Sequence, residues 1–177
     1  DFLFPLVEVF QRPGVFGVQP RAYNPDGKGL NFGLNVGRQE DGYIRMWKES
    51  DTDNEIRVDH LCQTLYFLGG AMLFDRDKYF ALEGFDPLFY PFRWEDIDLC
   101  YRALKRGWKL YYQPESTVYH KHHATLNRVF KPDYLNVIET KNELLFTWKN
   151  ITDSPMIEEH LRLLPWVFLN RLFAGQY

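Results

Sequence analysis

The chain has 177 residues, of which 45% are hydrophobic and 18% aromatic, so it can bury a core and is not a disordered segment. Its formal net charge is -3, and Lys and Arg are mixed with acids, which argues against the basic surface that nucleic acids require. No apolar run is long enough to span a bilayer and no signal segment opens the chain, so the expected location is the cytoplasm.

The first predicted elements are a helix over residues 2–10 and a strand over 15–19. Residues 20–60 are Gly-rich and polar, with no sustained hydrophobic period, and are predicted to be a loop-rich excursion. The apolar runs 65–68 and 71–74 then have the length of buried strands.

A short helix is predicted over residues 75–82, with Asp75 as its N-cap. The helix over 94–106 has the clearest pattern, because acids occupy its first turn, bases occupy its last turn and Gly107 follows it. One apolar stripe runs along it, formed by Ile97, Cys100, Tyr101 and Leu104.

Two short strands, 109–113 and 117–120, are predicted next, separated by a Pro-Glu-Ser turn. Helices are predicted over 133–149 and 156–173, the second interrupted at Pro165.

Three carboxylates, those of Glu95, Asp96 and Asp98, fall in the first turn of the helix over 94–106. Asp98 has Arg102 four residues on and is expected to form an ion pair, whereas Asp96 is expected to be unpaired beside an apolar face. Desolvation would raise the proton affinity of Asp96, which suits a general base for a sugar hydroxyl, with Glu95 as orienting neighbour or substitute. The plainer alternative is that these acids only cap the helix.

His120 ends an extended run and opens a polar loop, where an imidazole could bind a divalent cation. The alternative is an ordinary polar residue at a strand end. A zinc hydrolase site is disfavoured, because His122 and His123 are adjacent and no helical His-Glu-x-x-His spacing accompanies them.

Asp-x-Asp strings can hold a divalent ion on a diphosphate, and they begin here at Asp51, Asp75 and Asp96. None of the three is predicted to hold such a metal ion. The first lies in a polar loop, the second begins a helix, and the two acids of the third have different expected roles.

Two further features could contact a ligand. An aromatic run that includes Trp94, interleaved with Arg93, suits a sugar platform, since ring faces pack on the C–H face of a pyranose; core packing is the alternative. The Gly69-Gly70 pair could bring the backbone close to a ligand or could simply turn the chain.

Together these motifs resemble family 2 glycosyltransferases, including the rhamnosyltransferase-like members with the GT-A fold. The resemblance is carried, in order, by GAMLF at 70–74, EGFDPLF at 83–89, WEDIDLCYR at 94–102, RGW at 106–108 and VYH at 118–120. It implies an α/β chain with a partial GT-A (nucleotide-diphospho-sugar transferase) fold, in which helices flank a small mixed sheet. The nucleotide-binding half is then expected upstream of Asp1 and missing from this chain.

The resemblance also implies roles for particular residues. Asp96 would be the base of a single inverting displacement, and Glu95 its neighbour in the family's Glu-Asp pair. His120 would complete the coordination of the Mn or Mg ion on the donor diphosphate. Backbone groups of Gly69, Gly70 and Ala71 would border the donor sugar.

On this interpretation residues 1–150 are the acceptor-side portion of a bacterial-type catalytic domain, and residues 151–177 are a C-terminal helical extension. The expected partners are a nucleotide-diphospho-sugar donor, a glycan or lipid-linked acceptor of cell-envelope polysaccharide synthesis, and the missing half. The chain alone is expected to be inactive, because half of the positioning groups are absent.

Two other interpretations stay open. A non-catalytic carbohydrate-binding module would account for the aromatic residues without a base. An interfacial helix over 156–173 would hold the protein at the inner face of the plasma membrane, although Glu158 and Glu159 weaken this view.

Overall fold

The computed structural model describes residues 1–40, 42–48, 58–121 and 126–173. The chain forms two compact units. The first unit comprises Asp1–Val36, Met46–Asp86 and Asp96–His122. The second unit comprises Gly37–Arg45, Pro87–Glu95 and His123–Tyr177. The predicted division of the chain at residue 150 stays a prediction.

The elements are short helices and strands followed by two long helices. The helices are α1 (Leu3–Val9), α2 (Arg76–Ala81), α3 (Glu95–Lys105), α4 (Leu126–Val129), α5 (Pro132–Asn150) and α6 (Ser154–Phe173). The strands are β1 (Val15–Tyr23), β2 (Leu30–Phe32), β3 (Asn35–Glu40), β4 (Tyr43–Lys48), β5 (Cys62–Gln63), β6 (Leu73–Phe74) and β7 (Lys109–Tyr119).

The first unit is built on β1. One edge of β1 pairs in parallel with β7, from Val15 opposite Lys109 to Tyr23 opposite Tyr119. The other edge of β1 pairs antiparallel with β6 and with β2, and β5 pairs antiparallel with β7. The sheet is therefore mixed, and the prediction of an α/β fold with a small mixed sheet and flanking helices is confirmed.

Both faces of this sheet are covered. On one face Phe16 of β1 and Leu110 of β7 pack with a buried stripe of α3, formed by Leu99, Cys100 and Ala103. On the other face Val15 and Val18 of β1 pack with Leu6 and Val9 of α1. The two clusters hold α3 and α1 against opposite faces of β1 and β7.

Several predicted elements are confirmed. The helix predicted over 2–10 is α1, that over 94–106 is α3, and that over 133–149 is α5. Asp75 caps α2 as predicted, because its side chain accepts a hydrogen bond of 3.0 Å from the Lys78 amide. Cys100 is fully buried, as a small apolar residue would be, whereas Cys62 is only half-buried.

The strand predictions between residues 20 and 74 were partly wrong. The stretch predicted as loop contains β2, β3 and β4, which are short and partly polar and so show no hydrophobic period. The run 65–68 is not a strand: the Leu65 amide bonds to the Asn35 carbonyl at 2.9 Å, and the Phe67 amide to the Cys100 sulfur at 3.3 Å. Of the run 71–74, only Leu73 and Phe74 join the sheet.

Two later boundaries also differ. The strands predicted on either side of residues 114–116 form one strand, β7, because the intervening residues are taken up as a register shift opposite Pro20 and Arg21. Pro165 does not interrupt α6. It lies on an exposed face, where the carbonyl that loses its helical partner can be hydrated.

In the second unit, His160 of α6 is buried and both of its ring nitrogens are bonded. Its Nδ1 lies 2.8 Å from the Gly42 carbonyl, and its Nε2 lies 2.9 Å from Nε1 of Trp148 in α5. The indole can only donate, so Nε2 accepts and Nδ1 carries the proton. This bridge joins α6 to α5 and to the turn before β4.

Candidate active site

Asp96 is the second residue of α3, and its carboxylate is held at both oxygens. Oδ2 accepts a hydrogen bond of 2.8 Å from the Gly69 amide, and Oδ1 accepts one of 2.8 Å from the Ile97 amide. The expectation that Asp96 is unpaired was therefore wrong. Backbone N–H donors stabilise the negative carboxylate, which is the form that accepts a proton, and they fix its orientation.

The Gly69-Gly70 pair forms an exposed turn between Asp96 and His120. A Cβ on Gly70 would lie 2.4 Å from Nε2 of His120, so the imidazole approaches the backbone more closely than any side chain at residue 70 would permit. A Cβ on Gly69 would lie 3.5 Å from Oδ2 of Asp96. The structure thus brings Gly69, Gly70, Asp96 and His120 together, and Ala71 follows them, half-buried.

His120 is fixed directly after β7. Its amide donates to the Tyr23 carbonyl at 2.9 Å, and its carbonyl accepts from the Asn31 side chain at 3.0 Å. Its ring lies edge-on to Phe32, with centroids 5.4 Å apart. The imidazole is half-buried. Its position is restricted by the two backbone hydrogen bonds of His120 and by the contact with the Phe32 ring.

A metal ion would need more ligands than His120. Among the described residues, no group of three His, Cys, Asp or Glu side chains could hold a metal ion. His122, His123 and the Asp51 string lie outside the described residues. In the described part of the chain, His120 can therefore be at most one ligand of an incomplete set.

Asp98 has a structural role, as the sequence predicted. It is fully buried and pairs with Arg102 at 2.7 Å. Arg102 also donates to the carbonyls of Leu82, at 2.6 Å, and Gly84, at 2.7 Å, at the end of α2. The two acids of this Asp-x-Asp string therefore have different partners: Asp98 pairs with a guanidinium, whereas Asp96 accepts from backbone amides.

Arg93 and Trp94, directly before α3, have left-handed backbone conformations, with φ of 71° and 74°. Two consecutive non-glycine residues of this kind are strained, and such strain persists only where surrounding contacts enforce it. Arg93 pairs with Glu139 of α5, and the Trp94 ring lies 5.1 Å from that of Phe146. Burial lowers the pKa of Arg93.

Glu95 is the acid whose environment is least favourable to charge. It is half-buried, and its Oε2 is buried without a hydrogen-bond partner among the described residues. Burial raises the pKa of Glu95, and one backbone hydrogen bond opposes this effect only in part. Burial thus disfavours the charged form of Glu95, whereas two backbone amides donate to the neighbouring carboxylate of Asp96.

Glu95→Gln is expected to stabilise the protein at neutral pH. Because the folded pKa lies above the unfolded value of about 4.5, wild-type stability should fall as pH rises through the folded pKa, and Gln removes this cost. The melting temperature of the variant should exceed that of wild type near pH 7, with the difference shrinking towards about pH 4. Glu8→Gln, at an exposed position of α1, is the control. A lower melting temperature for Glu95→Gln at neutral pH would contradict the assignment.

Asn142 in α5 was not predicted from the sequence. Its Nδ2 faces three main-chain carbonyls of the loop before α3, at 3.0, 2.9 and 2.8 Å: those of Phe89, Phe92 and Arg93. A signal was present, because Asn is a poor helix former and here occupies an apolar stripe. The other members of that stripe are Leu135, Ile138 and Phe146.

A family model described as Glycosyltransferase like family 2 matches residues 3–133, which include the Gly69-Gly70 turn, Asp96 and His120. Because the match covers most of the chain, this protein belongs to that glycosyltransferase family.

A solved structure is similar in fold. The crystal structure of GalNAc-T7 with UDP, GalNAc and Mn2+ is similar over 68% of this chain, with 17% sequence identity and a TM-score of 0.48. This chain spans 24% of that chain. No curated protein matches the sequence.

Proposed function

We propose that this chain is the acceptor-side portion of a GT-A catalytic domain that transfers a sugar from a nucleotide-diphosphate donor with inversion. The family membership supports glycosyl transfer. The observation that carries the residue assignment is the carboxylate of Asp96, held at 2.8 Å by the Gly69 amide on an exposed turn that also contacts His120. We propose Asp96 as the general base.

The proposed reaction is one displacement. The acceptor hydroxyl oxygen forms a bond to the anomeric carbon, the bond from that carbon to the diphosphate oxygen breaks, and the hydroxyl proton passes to Asp96. A carboxylate oxygen has two lone pairs, so accepting one amide hydrogen bond does not by itself prevent it from taking a proton. A base must lie within hydrogen-bond reach of the proton it takes, and a carboxylate fixed in this way would be held in one orientation towards a bound acceptor.

Other residues have proposed supporting roles. The exposed backbone of Gly69, Gly70 and Ala71 would border the donor sugar. Arg93 and Trp94 would contact substrate, since they directly precede Glu95 and Asp96 in the chain. Glu95, whose pKa is raised by burial, would be the second carboxyl at the start of α3.

His120 is the one described residue that we propose as a ligand of a divalent cation. If Mn or Mg binds, His120 would supply one nitrogen and the remaining ligands would come from outside the described residues. Such an ion would stabilise the negative charge of the departing diphosphate. The role of Asp96 does not depend on it.

The proposed partners extend beyond this chain. A donor-binding half is proposed upstream of Asp1, together with a glycan or lipid-linked acceptor. The proposed location is the cytoplasm, with contact at the inner face of the plasma membrane through α6. That helix exposes several large apolar side chains, namely Ile157, Leu161, Trp166, Phe168 and Leu169. Among the described helices, none is both long and apolar enough to cross a membrane.

The test is transfer by the parent enzyme, which contains residues 1–177 and the proposed upstream half, from a panel of nucleotide sugars with Mn or Mg. Transfer to an acceptor with inverted anomeric configuration is the expected result. Retention of configuration would contradict the single displacement. Sugar binding without any transfer would instead favour a non-catalytic carbohydrate-binding module.

A further inference from the structure

The loop before α3 is held by α5 at several points, all within the second unit. Asn142 is completely buried, and its amide nitrogen lies within 3.0 Å of three carbonyls of this loop. An amide nitrogen has two hydrogens, so at least one of them is shared between two carbonyls. Next to it, the Lys141 ammonium donates to the Tyr90 carbonyl at 2.8 Å.

This anchoring acts on the strained part of the loop. The Arg93 carbonyl that Asn142 binds belongs to the first of the two left-handed residues, and the Arg93 side chain is paired with Glu139. The second left-handed residue is Trp94, whose ring packs against Phe146. Because left-handed conformations are strained for non-glycine residues, the loop would leave them without these contacts.

The next two residues in the chain are Glu95 and Asp96, at the first turn of α3. Because the loop runs directly into α3, its conformation restricts where the helix can begin. We propose that Asn142 is a positioning residue for sugar transfer, which holds the left-handed conformation of the loop and through it the carboxyl groups of Glu95 and Asp96. This role rests on the proposed function. Asn142 itself lies beyond the residues matched by the family model.

Two substitutions separate the hydrogen bonds of Asn142 from its volume. Asn142→Ala removes the side chain, and Asn142→Asp keeps its shape but replaces the N–H donors with an acceptor. The matched control is Thr147→Val, because Thr147 is also buried in α5 but donates only within the helix, to the Glu143 carbonyl at 3.0 Å. All variants are measured in the parent enzyme, well below their melting temperatures.

The first readout is backbone hydrogen exchange of residues 90–95. Both Asn142 variants should speed it by about tenfold or more, and Thr147→Val should not, because local opening free energy reports the contacts that hold a segment closed. The second readout is steady-state transfer. The kcat should fall by about tenfold or more, with donor KM changed less than about threefold, because the reacting groups are misplaced while donor contacts remain.

Each outcome has a distinct meaning. Unchanged exchange in residues 90–95 in both Asn142 variants overturns the inference. Faster exchange with unchanged kcat overturns the positioning role, and so does an equal loss of kcat in Thr147→Val. If the wild-type enzyme transfers no sugar, the proposed function fails and the catalytic role of Asn142 fails with it. The exchange result would then still decide whether Asn142 holds the loop.

Discussion

Asp96→Asn should reduce sugar transfer by the parent enzyme by about a thousandfold, since a positioned general base contributes about 10²–10⁴ to the rate. Asn keeps one oxygen, which can accept a hydrogen bond from the Gly69 amide, so the basic group is lost while only the bond to the Ile97 amide is given up. Asp96→Ala should lose activity at least as strongly. The measurement is kcat together with donor affinity by calorimetry, and the affinity should stay near the wild-type value.

Asp77→Asn is the matched control for this experiment. Asp77 also lies in the first turn of a helix, α2, but its side chain is exposed, so its loss should leave kcat unchanged. Equal activity of wild type and Asp96→Asn would make the acids of α3 structural and would remove the base from the proposed mechanism. A fall in donor affinity alone would assign Asp96 to binding.

Asp98→Asn should have the largest effect on stability. Asp98 is fully buried, and its replacement leaves the Arg102 guanidinium with two carbonyls and no negative partner. Breaking a buried ion pair from one side costs about 3–5 kcal/mol, and we expect a loss of about 3 kcal/mol because Asn can still accept one hydrogen bond. Urea unfolding, with the slope compared between variants, measures this loss.

The control is an exposed ion pair. Arg38 and Glu40 are paired at 2.9 Å, but both side chains are largely in water, so Arg38→Gln should change the unfolding free energy by less than about 1 kcal/mol. If Asp98→Asn unfolds at the same urea concentration as wild type, the pair with Arg102 does not stabilise the junction of α2 and α3.

Parts of the fold were predictable where one face of an element is buried. The helix α3 was predicted from helical spacing and from the charges and the glycine at its ends, and of its predicted stripe Cys100 is buried while Ile97 and Leu104 pack partly buried in the same cluster. Leu99 and Ala103 are buried there too but were not part of the predicted stripe. The bounds of β6 were not predictable, because the whole run 71–74 was predicted as a strand but only Leu73 and Phe74 pair with β1. Two residues are enough to pair with β1, and so short a segment carries no period.

The residues of the candidate site were predictable, but one of the contacts between them was not. Residue types and motif order indicated Gly69, Gly70, Asp96 and His120, and the structure places these four together. The hydrogen bond from the Gly69 amide to Asp96 was not predictable. Helical spacing reports only neighbours on the same helix, whereas this donor is a backbone group from a distant turn.

The parallel pairing of β1 and β7 also affects folding during synthesis. β1 is buried over almost its whole length, and its parallel neighbour begins only at Lys109. During synthesis from the N-terminus, the edge of β1 that pairs with β7 therefore stays unpaired until β7 has left the ribosome. Pairing between segments so distant in sequence is slow, and open edges invite aggregation. Nascent chains that stall before β7 should depend strongly on chaperones.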